Sequence, residues 1–71
     1  MERTNLQKTV TKNMRVALAA NGLQQKDLAA AIGITSASMS AKFTGKANWN
    51  LGDIEKASGF FHVKPEALVA G

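Results

Sequence analysis

The stretch from Gln25 to Phe43 leaves this chain few ways to fold. Leu28, Ala29 and Ile32 recur at helical spacing before Gly33, and Met39 and Phe43 do the same after it. Only Gly33-Ile34-Thr35 separates the two patterns. So short a link forces two helices to cross sharply, and glycine accepts the positive φ a chain reversal requires. Ala29 is small where the helices approach most closely, and Ile34 is apolar where a side chain would plug the corner.

This spacing predicts a helix-turn-helix, whose second helix, roughly Thr35 to Phe43, enters the major groove of duplex DNA. A plain αα-hairpin would need the same glycine and the same amphipathic pair. The outer face of the second helix separates the two readings. Met39 and Phe43 point inward, while Ala37, Ser38, Ser40 and Ala41 point out, with Ser36 at the flank and Lys42 at the edge. An ordinary solvated helix would carry Glu and Lys there. A small, neutral, hydroxyl-bearing face suits close approach to base edges.

Seventy-one residues allow one domain with one small core. No cysteine is present, which excludes a disulfide framework and a thiolate metal site and fits an intracellular protein. Helix packing must supply the stability, with dimerisation as a further source. No apolar run reaches the length of a membrane span, and the N-terminus has no signal-peptide core. One histidine, five scattered carboxylates and no phosphate loop give an enzyme little to work with, so neither catalysis nor a cofactor or metal is expected. The charge is unevenly placed. Residues 1–50 hold seven basic against two acidic residues, a net of +5, whereas residues 51–71 hold two against three, a net of −1. The basic excess coincides with the helix-turn-helix half, as phosphate binding requires; a generic solubilising charge is the plainer alternative.

Along the chain, Met1 to Thr4 reads as a loose arm carrying Arg3. Leu6, Val10, Met14 and Leu18 form the stripe of a first helix, with Thr4 or Asn5 as its cap and Thr4 to Gln7 shaped like a capping box; Asn21-Gly22 ends it. A second helix runs from about Gln25 to Ile32, with Gln24 a poor cap and Asp27 well placed in the first turn. Gln25 at its start is either a phosphate ligand, through its amide and backbone N–H, or a solvated residue. Thr35 is a natural cap for the third helix, which Thr44-Gly45 closes. Lys46 to Asn50 is a loop, and its Trp49 is a lid over the core, an indole donor to a phosphate, or both. Asn50 caps a fourth helix with Leu51, Ile54, Ala57 and Phe61 as its buried positions; Val63 packs inward. Pro65 opens a short last helix in which Leu68 and Val69 close the core. The expected fold is therefore all-α, a compact five-helix bundle with no strand, as one domain over residues 1–71.

The segments Gln25-Lys-Asp-Leu-Ala29, Gly33-Ile-Thr-Ser-Ala-Ser-Met39, Thr44-Gly45-Lys46, Leu51-Gly-Asp-Ile54 and Val63-Lys-Pro-Glu-Ala-Leu68 resemble the Cro/C1-type helix-turn-helix family of phage repressors, Cro proteins and bacterial regulators. The likeness covers about residues 9–69. It implies a lambda-repressor-like five-helix domain, operator binding as a homodimer, transcriptional repression, and residence in the bacterial cytoplasm at the nucleoid. Several positions depart from the pattern. Many members pair an arginine in the first helix with a glutamate at the end of the third; the matching positions are Leu18 and Phe43, an apolar contact in place of a buried ion pair. A frequent glycine is His62, the usual polar residue before Pro65 is Lys64, and Ala41 fills a slot where some members carry a long base-reading side chain.

On this reading Ser36, Ala37, Ser40 and Ala41 face the bases, the hydroxyls donating or accepting and the alanines suiting thymine methyls. Gln25, Thr35, Ser38, Lys42, Lys46 and Asn48 contact phosphates, with Lys8 or Lys12 in support. Such short readers make few bidentate contacts, so DNA shape and water carry part of the specificity. Phe60, about 100° round its helix from Phe61, either caps the side of the core or protrudes into a dimer interface. The alternative to DNA binding is a helical protein-interaction module of the antitoxin or antirepressor type.

Overall fold

A computed structural model describes residues 5–71. They form five α-helices: α1 (Leu6–Ala20), α2 (Gln25–Ile32), α3 (Ser36–Thr44), α4 (Leu51–Phe61) and α5 (Pro65–Val69). No strand occurs among the described residues. The arm at residues 1–4, with Arg3 and the candidate cap Thr4, lies outside them.

The helices start where side chains can satisfy their first N–H groups. Asn5 caps α1: its Oδ1 accepts from the Lys8 N–H at 3.1 Å. The capping box read from Thr4 to Gln7 falls partly outside the described residues; the Gln7 amide itself is turned to the backbone of Trp49. In α2 the expected weakness of Gln24 is offset by Asp27, whose Oδ2 accepts from the Gln24 N–H at 2.8 Å. Asn50 and Asp53 form a complete capping box on α4, with bonds of 2.8 and 3.0 Å.

Four of the helix ends repeat one device. A residue in the left-handed region is followed by an N–H that reaches back to the last turn: Leu23 to the Leu18 carbonyl, Ile34 to Ala29, Lys46 to Ala41, Val63 to Ser58. Gly33, at φ 90°, is the pivot between α2 and α3. His62 takes the same conformation at φ 58° and ψ 42° without being glycine.

The core gathers Val10, Met14 and Leu18 from α1, Leu28, Ala29 and Ile32 from α2, Met39 and Phe43 from α3, Trp49, then Ile54, Ala57 and Phe61 from α4 and Leu68 from α5. Ile34 packs against it and plugs the corner as expected. Helix α2 packs on α3 and α4, and α5 packs on α1 and α4. Asn13 ties α5 down, its Nδ2 donating to the carbonyls of Leu68 and Ala70 at 2.9 and 3.0 Å. Leu18 and Phe43 are both buried in this core.

Two apolar positions are not where the periodicity put them. Leu51 is 78% exposed, because the buried stripe of α4 is Asp53, Ile54, Ala57, Ser58 and Phe61. Leu51 lies roughly 90° round the helix from the centre of that stripe. Val63 is 41% exposed: its N–H closes α4, while its side chain sits at the rim.

Candidate nucleic-acid interface

The face expected to read bases begins at Thr35. Its Oγ1 accepts from the Ser38 N–H at 3.0 Å and lies 3.0 Å from Ser38 Oγ, so the two hydroxyls are joined at the first turn of α3. Ser36, Ala37 and Ser40 are exposed, as are Thr35 and Ser38. Ala41 is half-buried, at the edge of the face rather than on it. Met39 is fully buried on the opposite side and anchors the helix to the core. What α3 offers to solvent is therefore a short ridge of hydroxyls and methyls with no charge in its first two turns.

Positive charge is arranged around that ridge, and not as the sequence alone predicts. Lys42 does not lie on a solvated edge. It is buried, its Nζ donates to Asp53 Oδ2 at 2.7 Å and to the Asn48 carbonyl at 2.8 Å, and it lies 5.8 Å from the centre of the Trp49 ring. The expected phosphate ligand is thus an internal strut between α3 and α4. The spacing of Lys42 gave no sign of this, because its partner is eleven residues away across a loop. Arg15 is likewise engaged: its guanidinium lies 5.0 Å above the Phe43 ring and donates to the Phe43 carbonyl at 3.4 Å. Both cations sit near the C-terminus of α3, where the helix dipole favours them. Lys8, Lys12, Lys26 and Lys46 are exposed. Gln25 is half-buried at the first position of α2, and the side chain of Asn48 is in solvent while its carbonyl holds Lys42.

Trp49 is the lid and not a phosphate donor. It is 4% exposed, packs edge-on to Phe43 with centroids 5.2 Å apart, and gives its indole N–H to Thr11 Oγ1 at 2.9 Å. Gln7 and Thr11, which carried no functional reading in the sequence, hold it there. An i, i+4 pair of polar residues beside an apolar stripe is the one local sign of such a role. Between the start of α1 and the end of α3 runs an open cleft of about 420 Å³, whose rim includes Asn5, Lys8, Thr44 and Asn48. Phe60 is half-buried; its ring lies 5.2 Å from that of Phe61 and packs on the core, so it caps the side of the bundle with one edge in solvent. No cluster of three His, Asp or Glu residues able to hold a metal occurs among the described residues. No helix among them is long and apolar enough to cross a membrane.

Two short helices crossed at a left-handed glycine, the second capped at both ends and presenting a small neutral ridge beside exposed lysines, define a helix-turn-helix domain. A family model for the Cro/C1-type HTH DNA-binding domain matches residues 13–70, and the chain belongs to that family. No curated protein and no solved structure matches the chain significantly.

Proposed function

We propose that this DNA-binding domain is a sequence-specific transcriptional regulator of duplex DNA, a phage Cro-like protein or compact repressor that reads operators through α3 in the major groove. The observation that carries the reading is the outer ridge of α3, where Ser36, Ala37 and Ser40 are exposed together and no long side chain intervenes. Such a ridge allows the helix backbone to come close to base edges. Ala41 reads at the edge of the ridge. Phosphates are held on both sides of it, by Gln25 at the start of α2, by Thr35 and Ser38 at the start of α3, and by Lys46 and Asn48 after its end. Lys8, on the rim of the neighbouring cleft, supports them.

Operator binding uses a homodimer formed mainly on DNA, with Phe60 and Val63 supplying the apolar edge. A two-fold pair would place two copies of α3 roughly 34 Å apart on a near-palindromic site. The chain works at the bacterial nucleoid, and no cofactor, metal or catalytic step enters the reading.

Selection of bound sequences from random DNA, followed by titration of the selected duplex over a range of salt, tests the reading. Neutralising roughly 4–8 phosphates per dimer gives a slope of about −4 to −7 in log K against log[salt]. A slope near zero on every duplex removes the DNA-binding reading and leaves the protein-interaction module.

A further inference from the structure

We propose that the loop over residues 45–50 is a preformed phosphate clamp, set by four side chains that do not touch DNA: Gln7, Thr11, Lys42 and Asp53. The proposal rests on the DNA-binding reading above and assigns these four as positioning residues for it.

The loop leaves the C-terminus of α3 and carries Lys46 and Asn48 into solvent. A loop of this composition would ordinarily be mobile in the free protein and would lose that freedom on binding. Here each of five successive residues has a main-chain group fixed from outside the loop. The N–H groups of Lys46 and Ala47 both reach the Ala41 carbonyl, at 2.9 and 3.1 Å. The Asn48 carbonyl accepts from Lys42 Nζ at 2.8 Å. The Trp49 peptide is gripped at both ends by the Gln7 amide, whose Nε2 donates to the Trp49 carbonyl at 3.0 Å and whose Oε1 accepts from the Trp49 N–H. The Asn50 N–H donates to Asp53 Oδ2 at 3.0 Å, the same oxygen that holds Lys42. Thr11 completes the set, its Oγ1 accepting from the Trp49 indole and donating to the Gln7 carbonyl at 2.9 Å.

The loop is thus held from α1 on one side and from α3 and α4 on the other. A buried lysine is well suited to the inner side. Its charge is matched by Asp53 within the protein, so it can hold the Asn48 carbonyl without competing for a phosphate. The backbone positions of Lys46 and Asn48 relative to α3 are set before DNA arrives.

The test uses the whole chain, a random-sequence duplex and a duplex from the selection. Gln7→Met keeps side-chain length and removes both bonds to Trp49. The double variant K42M/D53L replaces the inner strut with an apolar pair of similar volume. In either variant that folds by circular dichroism, affinity falls about 10-fold on both duplexes alike, because the loop must be ordered on binding. The salt slope stays at its wild-type value, because the same phosphates are neutralised once the loop is ordered, and the selected base preferences stay as they were. A role in stability alone would lower the melting temperature and leave the affinity of the folded protein unmoved. A folded variant with wild-type affinity overturns the clamp, whereas a wild type that shows no salt-dependent binding overturns the DNA-binding reading instead. Amide hydrogen exchange in the free wild type needs neither variant nor DNA: Ala47, Trp49 and Asn50 are expected to be protected like helix amides, and open-loop exchange rates there overturn the proposal.

Discussion

The ammonium of Lys42 lies 2.7 Å from Asp53 Oδ2, with the two side chains only 10% and 8% exposed. It is the one salt bridge among the described residues, and it joins the candidate recognition helix to the helix behind it. A buried pair contributes little net stability over an apolar pair, but removing one partner strands the other.

Asp53→Ala is therefore expected to cost about 3–5 kcal/mol, since it leaves Lys42 with the Asn48 carbonyl alone and removes the acceptor of the Asn50 N–H. The double variant K42M/D53L should lose less than the single one, about 1 kcal/mol for the vacated cap. Urea unfolding of the three proteins measures this. A double variant weaker than Asp53→Ala would show that the pair is not energetically coupled.

Gly33 and His62 share a backbone conformation and should respond in opposite directions. A Cβ on Gly33 would meet no atom within 4 Å, so Gly33→Ala carries only the conformational cost of φ 90°, about 1–2 kcal/mol. His62→Gly relieves a left-handed side chain and should gain about 0.5–1 kcal/mol after the added freedom of the unfolded chain is counted. In a domain of this size each kcal/mol moves the melting temperature by about 4–8 °C. Melting curves shifted the same way by both substitutions would contradict this account of the turns.

Ser40 and Lys46 separate base reading from phosphate positioning. Ser40→Val should relax preference at one operator position by about 1–3 kcal/mol. Lys46→Ala should weaken cognate and random DNA equally and reduce the salt slope by about one for each phosphate it leaves unneutralised. Identical behaviour of the two variants on the two duplexes would take the reading face away from α3.

Phe60→Ser tests the dimer. The partly buried ring packs on the core, so some loss of stability, about 1–2 kcal/mol, is expected in the monomer. Beyond that loss, operator affinity and cooperativity between half-sites should fall. Titration of full-site and half-site duplexes reads the cooperativity, and an unchanged value would put the interface elsewhere.

What the amino-acid order determined here is what local physics determines. Gly33 between two short amphipathic patterns fixes the turn, since the conformation it needs and the crossing it imposes lie within a dozen residues. The caps at Asn50 and Thr35 and the buried faces of α1, α2 and α3 follow from spacing of the same range. The exposed ridge of Ser36, Ala37 and Ser40 is legible for the same reason: once Met39 and Phe43 face in, their neighbours must face out. The fate of the polar residues was decided only by the tertiary structure. Lys42 looks like a surface cation until α4 brings Asp53 against it, and Gln7 looks like part of a local capping box until the Trp49 peptide comes within reach of its amide. Leu51 and Val63 depart the other way, because an apolar residue at a helix end is buried only if another element happens to cover it. Helical periodicity states which direction a side chain takes. It does not state what stands in that direction, and for a buried charge or an exposed leucine that is the whole of the energetics.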